Sequence, residues 1–408
     1  MRELSYPKNK INVLLLEKVD KIAFDLFKEE GYNVESLDGS LSEKDLIKKI
    51  KDVSILGIRS KTIISEKVIK SANKLLAIGA FCIGTNQIKF ESCNDSGIVV
   101  FNAPYSNTRS VVEIVIAQII NLMRIIVIKS NKMHSGVWRK DSLDSFEIRN
   151  KVIGIVGYGN IGSQLSVISE ALGMKVLYYD IVDKLSIGNA KKCKSLNDLL
   201  QNSDIVSLHV DGKKSNTNLI SDKEFSIMKE KSILVNYSRG NVVDIDSLIK
   251  NIKSKKIMGA ALDVFPEEPS NNNEKFKSKV QGIEEIILSP HIGGSTKEAQ
   301  KNIGSYVPDK IIDFINSGNT SSSVNFPKLS LPEQSDSHRL IHIHKNQPGV
   351  MLKINKIISE YNINIKGQYL KTNEEIGYVI TDIDSVYNKE VVKSLKNIPA
   401  TLKLRVLY

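Results

Sequence analysis

The sequence predicts an α/β protein in three parts, and three observations predict it. Residues 11–101 alternate short apolar stretches with helical ones. A second alternating run begins at Lys151 and continues to about Gly294. A Ser-, Asn- and Pro-rich stretch, "NTSSSVNFPKLSLPEQSDS", then separates both runs from a final block ordered βαββαβ. Strands alternating with short helices imply parallel sheets covered by helices. The composition break implies a linker, and βαββαβ is the split-βαβ arrangement.

Each element has a local reason. "INVLLLE" is a short apolar strand. "VDKIAFDLFKEEG" has helical period and stops at Gly31. "LSEKDLIKKIKD" opens on Ser42 with an acidic residue three positions later, the pattern of a helix N-terminus. "VSILGIRS", "LLAIGAF" and "GIVVFNAP" read as strands, with helical "SEKVIKSAN" and "KFESCNDSG" between them. Residues 110–128, "SVVEIVIAQIINLMRIIVI", are the most membrane-like stretch. Glu113, Gln118, Asn121 and Arg124 argue against a span, so a long buried or interface helix is expected. "TKEAQKNIGSYVPDKIIDFINSG" reads as one long helix with Pro308 as its candidate break. In the final block, "RLIHIHK", "NIKGQYLKT", "EIGYVITDID" and "TLKLRVLY" are strands. "PGVMLKINKIISEY", with Pro348 near its first turn, and "NKEVVKSLKNI" are helices.

A chain of 408 residues suggests two or three domains. A 41% hydrophobic content suffices for sizeable cores. The net charge of +11 comes from lysines scattered beside Asp and Glu, with no basic stripe and no interleaved aromatics. It therefore reads as background composition, with an anionic substrate next in line and no nucleic-acid partner. Cys82, Cys93 and Cys193 form no C-x-x-C pair, which argues against a disulfide framework or zinc ribbon and suits a reducing compartment. No signal-peptide pattern opens the chain, and the expected location is cytoplasmic, away from membranes.

"VIGIVGYGNIG" carries Gly157-x-Gly159-x-x-Gly162. The spacing alone is weak evidence, and a glycine-rich turn packing helix on strand would share it. Here it follows an apolar strand, opens a helix ending at Gly173, and is followed by "MKVLYYD", a strand ending in Asp180. That context is the dinucleotide-binding, Rossmann-like fingerprint. Backbone N–H groups and the helix N-terminus would cradle the pyrophosphate. Asp180 would accept the ribose hydroxyls and repel a 2′-phosphate, favouring NAD.

Three more polar signals follow strands of this unit: "LVNYSRGNVVD", "ALDVFPEEP" and "LSPHIGGS". Ligands bind at the carboxyl ends of strands in open α/β sheets. These segments offer Arg239, Glu268 and His291. A lone His after Pro is more often structural, and Arg in "SRG" could be a surface turn. Converging beside a dinucleotide site, they fit hydride transfer to the ketone of a substrate that also carries a carboxylate. His291 would move the hydroxyl proton, Glu268 would orient and charge it, and Arg239 would hold a carboxylate.

"GYGNIG", "NYSRG", "LDVFPEEP" and "SPHIGG" resemble the NAD-dependent D-2-hydroxyacid dehydrogenases. "LGIRSKTIIS", "AIGAFCIGTNQI", "FNAPYSNTRSVVE", "SGVWRK" and "HIHKNQPGVMLKIN" are similar to the branch that oxidises 3-phosphoglycerate and carries one C-terminal ACT domain. The similarity runs from Asn12 to Tyr408. It implies a Rossmann-like NAD domain, 105–296, inserted into a flavodoxin-like substrate domain, 1–104 and 297–328. A linker, 329–337, and a ferredoxin-like ACT domain, 338–408, would follow. By the resemblance, NAD lies along Gly157, Gly159, Asn160, Ile161, Gly162, Asp180, Tyr237, Ser238, Arg239, Asp263, His291, Ile292, Gly293 and Gly294. Arg59, Ser60 and Lys61 face the substrate phosphate, with Asn107 nearby. Because Arg59 and Lys61 come from the first run and Arg239 from the second, a cleft between domains would serve both. The resemblance also implies a homotetramer in which Trp138 packs on a neighbouring subunit, 3-phosphoglycerate as substrate, and a side reduction of 2-oxoglutarate. Two departures stand out. Lys61 replaces an arginine common in relatives, keeping charge without the planar fork. Tyr237 replaces a small residue, so its ring must find space beside the cofactor. A hydroxypyruvate or glyoxylate reductase and a non-catalytic NAD-sensing binder are the alternatives; the first needs no cationic 59–61 segment, the second no proton donor.

His338, His342 and His344 invite a metal reading. On a strand they share one face, and no cysteine or acidic cluster completes a site, so no metal is expected. His338 and His342 read as satisfied or exposed. His344, at a strand end, is matched by the resemblance, with Asn346 and Asn364, to residues that bind L-serine across an ACT–ACT interface. Serine would then be a feedback inhibitor. "QSDSHRL" lacks the glycine pair that several relatives have before this domain.

Overall fold

The computed structural model describes residues 7–269, 273–332, 338–384 and 389–407. It forms two compact units. One runs to Ser106 and resumes from Gln300; the other is Asn107–Ala299.

The first unit opens with five parallel strands: β1 (Asn12–Leu15), β2 (Asn33–Ser36), β3 (Ile55–Ile58), β4 (Ala77–Ala80) and β5 (Val99–Phe101). Between them run α1 (Lys21–Glu29), α2 (Glu43–Lys49), α3 (Glu66–Lys70) and α4 (Phe90–Asp95). The central strands β3 and β4 are buried on both faces, which is why they read as continuous apolar runs rather than alternating ones. Helix starts follow their caps: Asp20 accepts from Ile22 N–H at 3.0 Å, and Ser42 accepts from Asp45 N–H at 3.3 Å. The order β2-β1-β3-β4-β5 is flavodoxin-like, with its switch between β1 and β3. Arg59, Ser60 and Lys61 leave the carboxyl end of β3 at that switch.

In the second unit, the stretch expected as one long helix is two. α5 (Thr108–Met123) and α6 (Ile126–His134) meet at a bend of 69°. Ile125 adopts a left-handed backbone, φ 46°, which ends the hydrogen-bond ladder, and Phe146 N–H takes the Met123 carbonyl at 2.7 Å. α5 buries Val111, Val112, Val115, Ile116, Ile119, Leu122 and Met123, whereas α6 buries none of its residues. Among the described residues no single helix is long and apolar enough to cross a membrane. Seven parallel strands follow: β6 (Val152–Val156), β7 (Lys175–Tyr179), β8 (Lys191–Lys192), β9 (Ile205–Leu208), β10 (Ser232–Asn236), β11 (Ile257–Leu262) and β12 (Ile286–Leu288). They are crossed by α7 (Asn160–Ala171), α8 (Leu196–Asn202), α9 (Asp222–Ile227) and α10 (Ile245–Lys253). Their order, β12-β11-β10-β9-β6-β7-β8, reverses between β6 and β9, the Rossmann switch point.

Helix α11 (Lys297–Ser317) passes Pro308 without a break. The proline removes one hydrogen bond, but Val307, Ile311 and Phe314 are buried and hold the helix through it. The final block is β13 (His338–Lys345), α12 (Val350–Glu360), β14 (Ile365–Thr372), β15 (Ile376–Ile383), α13 (Lys389–Lys396) and β16 (Thr401–Leu407), in the antiparallel order β14-β15-β13-β16. One face of this sheet packs on α12 and α13 through Leu340, Val379, Ile354 and Leu395. The other shares the core of the first sheet: Ile341, Ile343, Tyr378 and Ile380 lie in one cluster with Val13, Phe101, Phe314 and Phe326. Each large side chain so buried contributes about 1.5–3 kcal/mol. The last carbonyls of α11, which lack intrahelical donors, are taken by this sheet. Arg339 donates to Ser317 O at 2.8 Å, Arg405 to Ile315 O at 2.9 Å, and Tyr378 Oη to Gly318 O at 2.6 Å. Arg339 also grips Asp382 through Nε at 2.8 Å and Nη2 at 3.2 Å, both residues buried. The linker residues at 333–337, including most of "QSDSHRL", lie outside the described residues.

Candidate active site

The glycine loop lies between β6 and α7. Gly157 has φ 92°, and a Cβ there would come within 2.5 Å of the His209 carbonyl oxygen. A Cβ on Gly162 would meet the Gly157 carbonyl oxygen at 2.2 Å. Both positions require glycine: one for the left-handed turn, the other for helix-on-strand approach. Gly159 faces open space, as a backbone that must admit a pyrophosphate should. Asn160 and Ile161 begin the twelve-residue α7, whose N-terminal N–H groups face that opening with the dipole's positive end. Asp180 follows β7. Its Oδ2 accepts Tyr158 N–H at 2.8 Å and its Oδ1 accepts Val182 N–H at 2.9 Å, fixing the carboxylate while leaving lone pairs for ribose hydroxyls. These residues fit NAD as a group.

The turn after β10 is organised by Asn236. Its Oδ1 accepts Ser238 N–H at 3.1 Å and Ser238 Oγ at 2.8 Å, and its Nδ2 donates to Arg239 O at 3.0 Å. Arg239 is thereby presented half-buried, with Nη1 donating to Ser238 O at 2.6 Å. The segment after β11 carries Asp263 and Glu268; the one after β12 carries Ser289 and His291. His291 Nδ1 lies 2.7 Å from Glu268 Oε2, and Glu268 Oε1 accepts Phe265 N–H at 3.0 Å. The carboxylate can only accept, so Nδ1 holds the proton and Nε2 is left to exchange one. The Glu268 hydrogen bond raises the His291 pKa against the opposing pull of burial, with the nearby Arg239 charge also opposing. Burial pushes the Glu268 pKa up, but the His291 and Phe265 hydrogen bonds and the Arg239 charge outweigh it and bring it down. Arg239 thus stands close enough to act on both partners.

His291 itself has a left-handed backbone, φ 54°. Such a conformation in a histidine persists only where the surroundings enforce it. Buried Asp263 is what enforces it: Oδ1 accepts Ile292 N–H at 2.9 Å and Oδ2 accepts Gly293 N–H at 2.7 Å. Asn107 comes to the same loop, where a Cβ on Gly294 would lie 2.1 Å from its Nδ2.

In the other unit, the 59–61 loop is staged by two residues the sequence reading did not single out. Buried Glu17, after β1, accepts Lys61 N–H at 2.9 Å and Thr62 N–H at 2.7 Å. Gln87 donates to Arg59 O at 2.6 Å. The signal available was a charged residue closing the apolar run "LLLE" at a strand's carboxyl end. The Ser60 and Lys61 side chains remain exposed and that of Arg59 half-buried.

His344 is buried, its Nδ1 2.8 Å from the Lys345 carbonyl oxygen; the same carbonyl's pull is outweighed by burial, which lowers its pKa. Asn346 donates to Asn373 O at 2.7 Å, and Asn364 to Asp384 Oδ2 at 3.1 Å. These three do not meet within the chain. The β13–β15 register pairs Lys345 with Ile376 and His338 with Ile383, so His344 and Asn346 sit at one end of the sheet and Asn364 at the other. His342 is buried with Nε2 2.7 Å from Thr401 Oγ1. Among the described residues no group of three His, Cys, Asp or Glu could hold a metal.

Residues 116–293 match the sequence profile of the D-isomer specific 2-hydroxyacid dehydrogenase NAD-binding domain, and 340–403 that of the AHAS small subunit-like ACT domain. The chain is 49% identical to the D-3-phosphoglycerate dehydrogenase of Dictyostelium discoideum, covering 99% of each chain. It is 47% identical to that of Escherichia coli strain K12, over the whole of both. Its fold superposes on the Lactobacillus jensenii D-lactate dehydrogenase solved with NAD+ at a TM-score of 0.64 and 28% identity, covering 75% of this chain and 96% of that one. With full-length relatives of one kind and a matching NAD-binding profile, the chain belongs to the D-isomer specific 2-hydroxyacid dehydrogenase family as an NAD-dependent oxidoreductase.

Proposed function

We propose that this protein oxidises D-3-phosphoglycerate to 3-phosphohydroxypyruvate with NAD, the entry step of phosphorylated L-serine synthesis, as the names of its full-length relatives indicate. The observation that carries the mechanism is the His291–Glu268 contact at 2.7 Å beside Arg239. Arg239 holds the substrate carboxylate in a bidentate pair. His291 Nε2 takes the C2 hydroxyl proton, and Glu268 stabilises the imidazolium that results. Bound NAD supplies the hydride acceptor. In the reverse direction His291 returns the proton to the developing alkoxide. Arg59 and Lys61 take the phosphate, on a loop whose backbone Glu17 and Gln87 fix, with Asn107 supporting the His291 loop.

The discriminating experiment follows NADH oxidation with 3-phosphohydroxypyruvate against hydroxypyruvate. Charge-assisted contacts contribute about 1.5–3 kcal/mol each, so kcat/KM should favour the phosphorylated substrate by at least ~10²-fold. Equal values on both substrates would remove the phosphate role of residues 59–61.

The ACT domain fits an amino-acid effector, which we take to be L-serine at His344, Asn346 and Asn364. A neutral imidazole and two amides suit a zwitterion. Because the two ends of the sheet carry different members of the set, the site needs two chains related by a two-fold axis. Exposed Trp138, Val137 and Leu143 suit a further subunit contact and support a homotetramer. Cys82, Cys93 and Cys193, which form no C-x-x-C pair, suit the cytoplasm. Native mass with and without millimolar L-serine, alongside inhibition, tests both readings; a monomer that still binds serine would exclude the shared site.

A further inference from the structure

Tyr237 was expected to need space for its ring beside the cofactor. Its ring is buried and belongs to the apolar cluster of the second unit, which also holds Val111, Val115 and Ile119 of α5. That hydroxyl lies 3.0 Å from Ser289 Oγ. Ser289 Oγ lies 2.5 Å from Asp263 Oδ1.

Proton counting gives this chain one direction. Asp263 already accepts two backbone N–H groups, which can only donate, and the serine has a single hydroxyl hydrogen. Ser289 must therefore give that hydrogen to Asp263, and Tyr237 must give its own to Ser289. The result is a one-way chain, Tyr237 to Ser289 to Asp263, ending on the carboxylate that holds Ile292 and Gly293, the residues beside left-handed His291. A buried hydroxyl needs some partner, and one internal bond would satisfy it. This one is aimed at the support of the strained catalytic loop. Chains of this kind polarise and stiffen their members cooperatively. A Cβ on Gly293 would lie 3.0 Å from both the Tyr237 ring and Asp263 Oδ2, so ring and carboxylate flank the loop together.

We propose that Tyr237 is a positioning residue for His291, acting through Ser289 and Asp263 rather than by touching substrate. The inference rests on the assignment of His291 as the proton-transfer group. Tyr237→Phe keeps the ring and removes the donor. With 3-phosphohydroxypyruvate and NADH, the full-length enzyme should lose ~5–10-fold in kcat with KM within twofold. Its alkaline limb in kcat should move to lower pH, as His291 is held less firmly on Glu268. Ser289→Ala should do the same, Ser289→Thr, which keeps the hydroxyl, should restore most of the rate, and Tyr237→Phe/Ser289→Ala should be no worse than the more impaired single variant. Wild-type kcat and an unmoved limb in Tyr237→Phe overturn the proposal. So do multiplicative losses in the double variant, or equal losses in Ser289→Thr and Ser289→Ala. Thermal melting of each variant identifies a loss that is only unfolding, and the Ser289→Thr comparison then decides. Failure of the underlying assignment looks different: wild-type enzyme inactive, or His291→Asn fully active.

Discussion

His291 and the pair His342 and His344 are the same side chain in opposite settings. His291 is half-exposed, stands on a left-handed backbone and contacts a carboxylate, which raises its pKa. His342 and His344 lie buried on a strand, their rings 5.8 Å apart. Burial, and then His344, brings the His342 pKa down to about 4. The difference teaches that a charged partner decides a histidine's protonation at the exposed site, whereas desolvation decides it inside the sheet. One histidine can therefore move protons near neutral pH, and the other two stay neutral as hydrogen-bonding groups.

The most severe way to test that contrast is to delete the proton carrier. His291→Asn should lower kcat by ~10³-fold while NADH still binds, measured by turnover and by fluorescence titration. Wild-type-like turnover would transfer the role elsewhere. A smaller effect is expected when only the partner is changed. Glu268→Gln should cost ~10²-fold and move the His291 pKa back toward its ordinary value. The sign follows from the direction assayed. Reduction needs protonated His291, so its rate falls as pH rises through that pKa, and in Glu268→Gln the fall should begin at lower pH. Oxidation needs the neutral ring, so its rising limb should shift the same way.

The smallest effect belongs to the buried histidine. The folded-state pKa of His342 lies below the ordinary value of 6.5, so the unfolded chain takes up the proton first. Stability should fall as pH drops from 6.5 toward about 4, with His209, also brought to about 4 by burial, adding to the slope. His342→Leu should flatten that acid dependence by on the order of 1–3 kcal/mol, read from denaturant midpoints at pH 7 and pH 5. An unchanged slope would place the acid sensitivity elsewhere. At the opposite edge of the pH range stands Lys403, whose ammonium is buried against Leu75 O at 2.6 Å and whose pKa is lowered to about 8 by burial and then by Arg405.

Much of the catalytic half was legible because its requirements are local. Gly162 is dictated by a steric contact with nearby Gly157 and Gly157 by its own left-handed backbone, so their spacing announces the loop. Arg239, Glu268 and His291 each follow a recognisable strand, and parallel sheets gather strand ends on one edge. The break at Ile125 was not legible, because residues 110–128 are apolar and helix-compatible throughout and only the left-handed backbone separates them. Continuity through Pro308 was hidden for the converse reason: tertiary burial of Val307 and Ile311 overrides a local penalty. Glu17 and Gln87 act on a loop more than twenty residues away, and no pattern links them to it.

The sequence by itself determined the class of chemistry: a dinucleotide loop, an acidic ribose partner, and a histidine, carboxylate and arginine on successive strand ends. Only the tertiary structure decided which way Tyr237 points, what bears the strain of His291, and that Asn364 stands apart from His344 and Asn346 in one chain. The physical reason is range. Turns and caps are settled by neighbours in sequence, whereas a buried hydroxyl's partner and the end of a sheet at which a residue lies depend on register between distant strands.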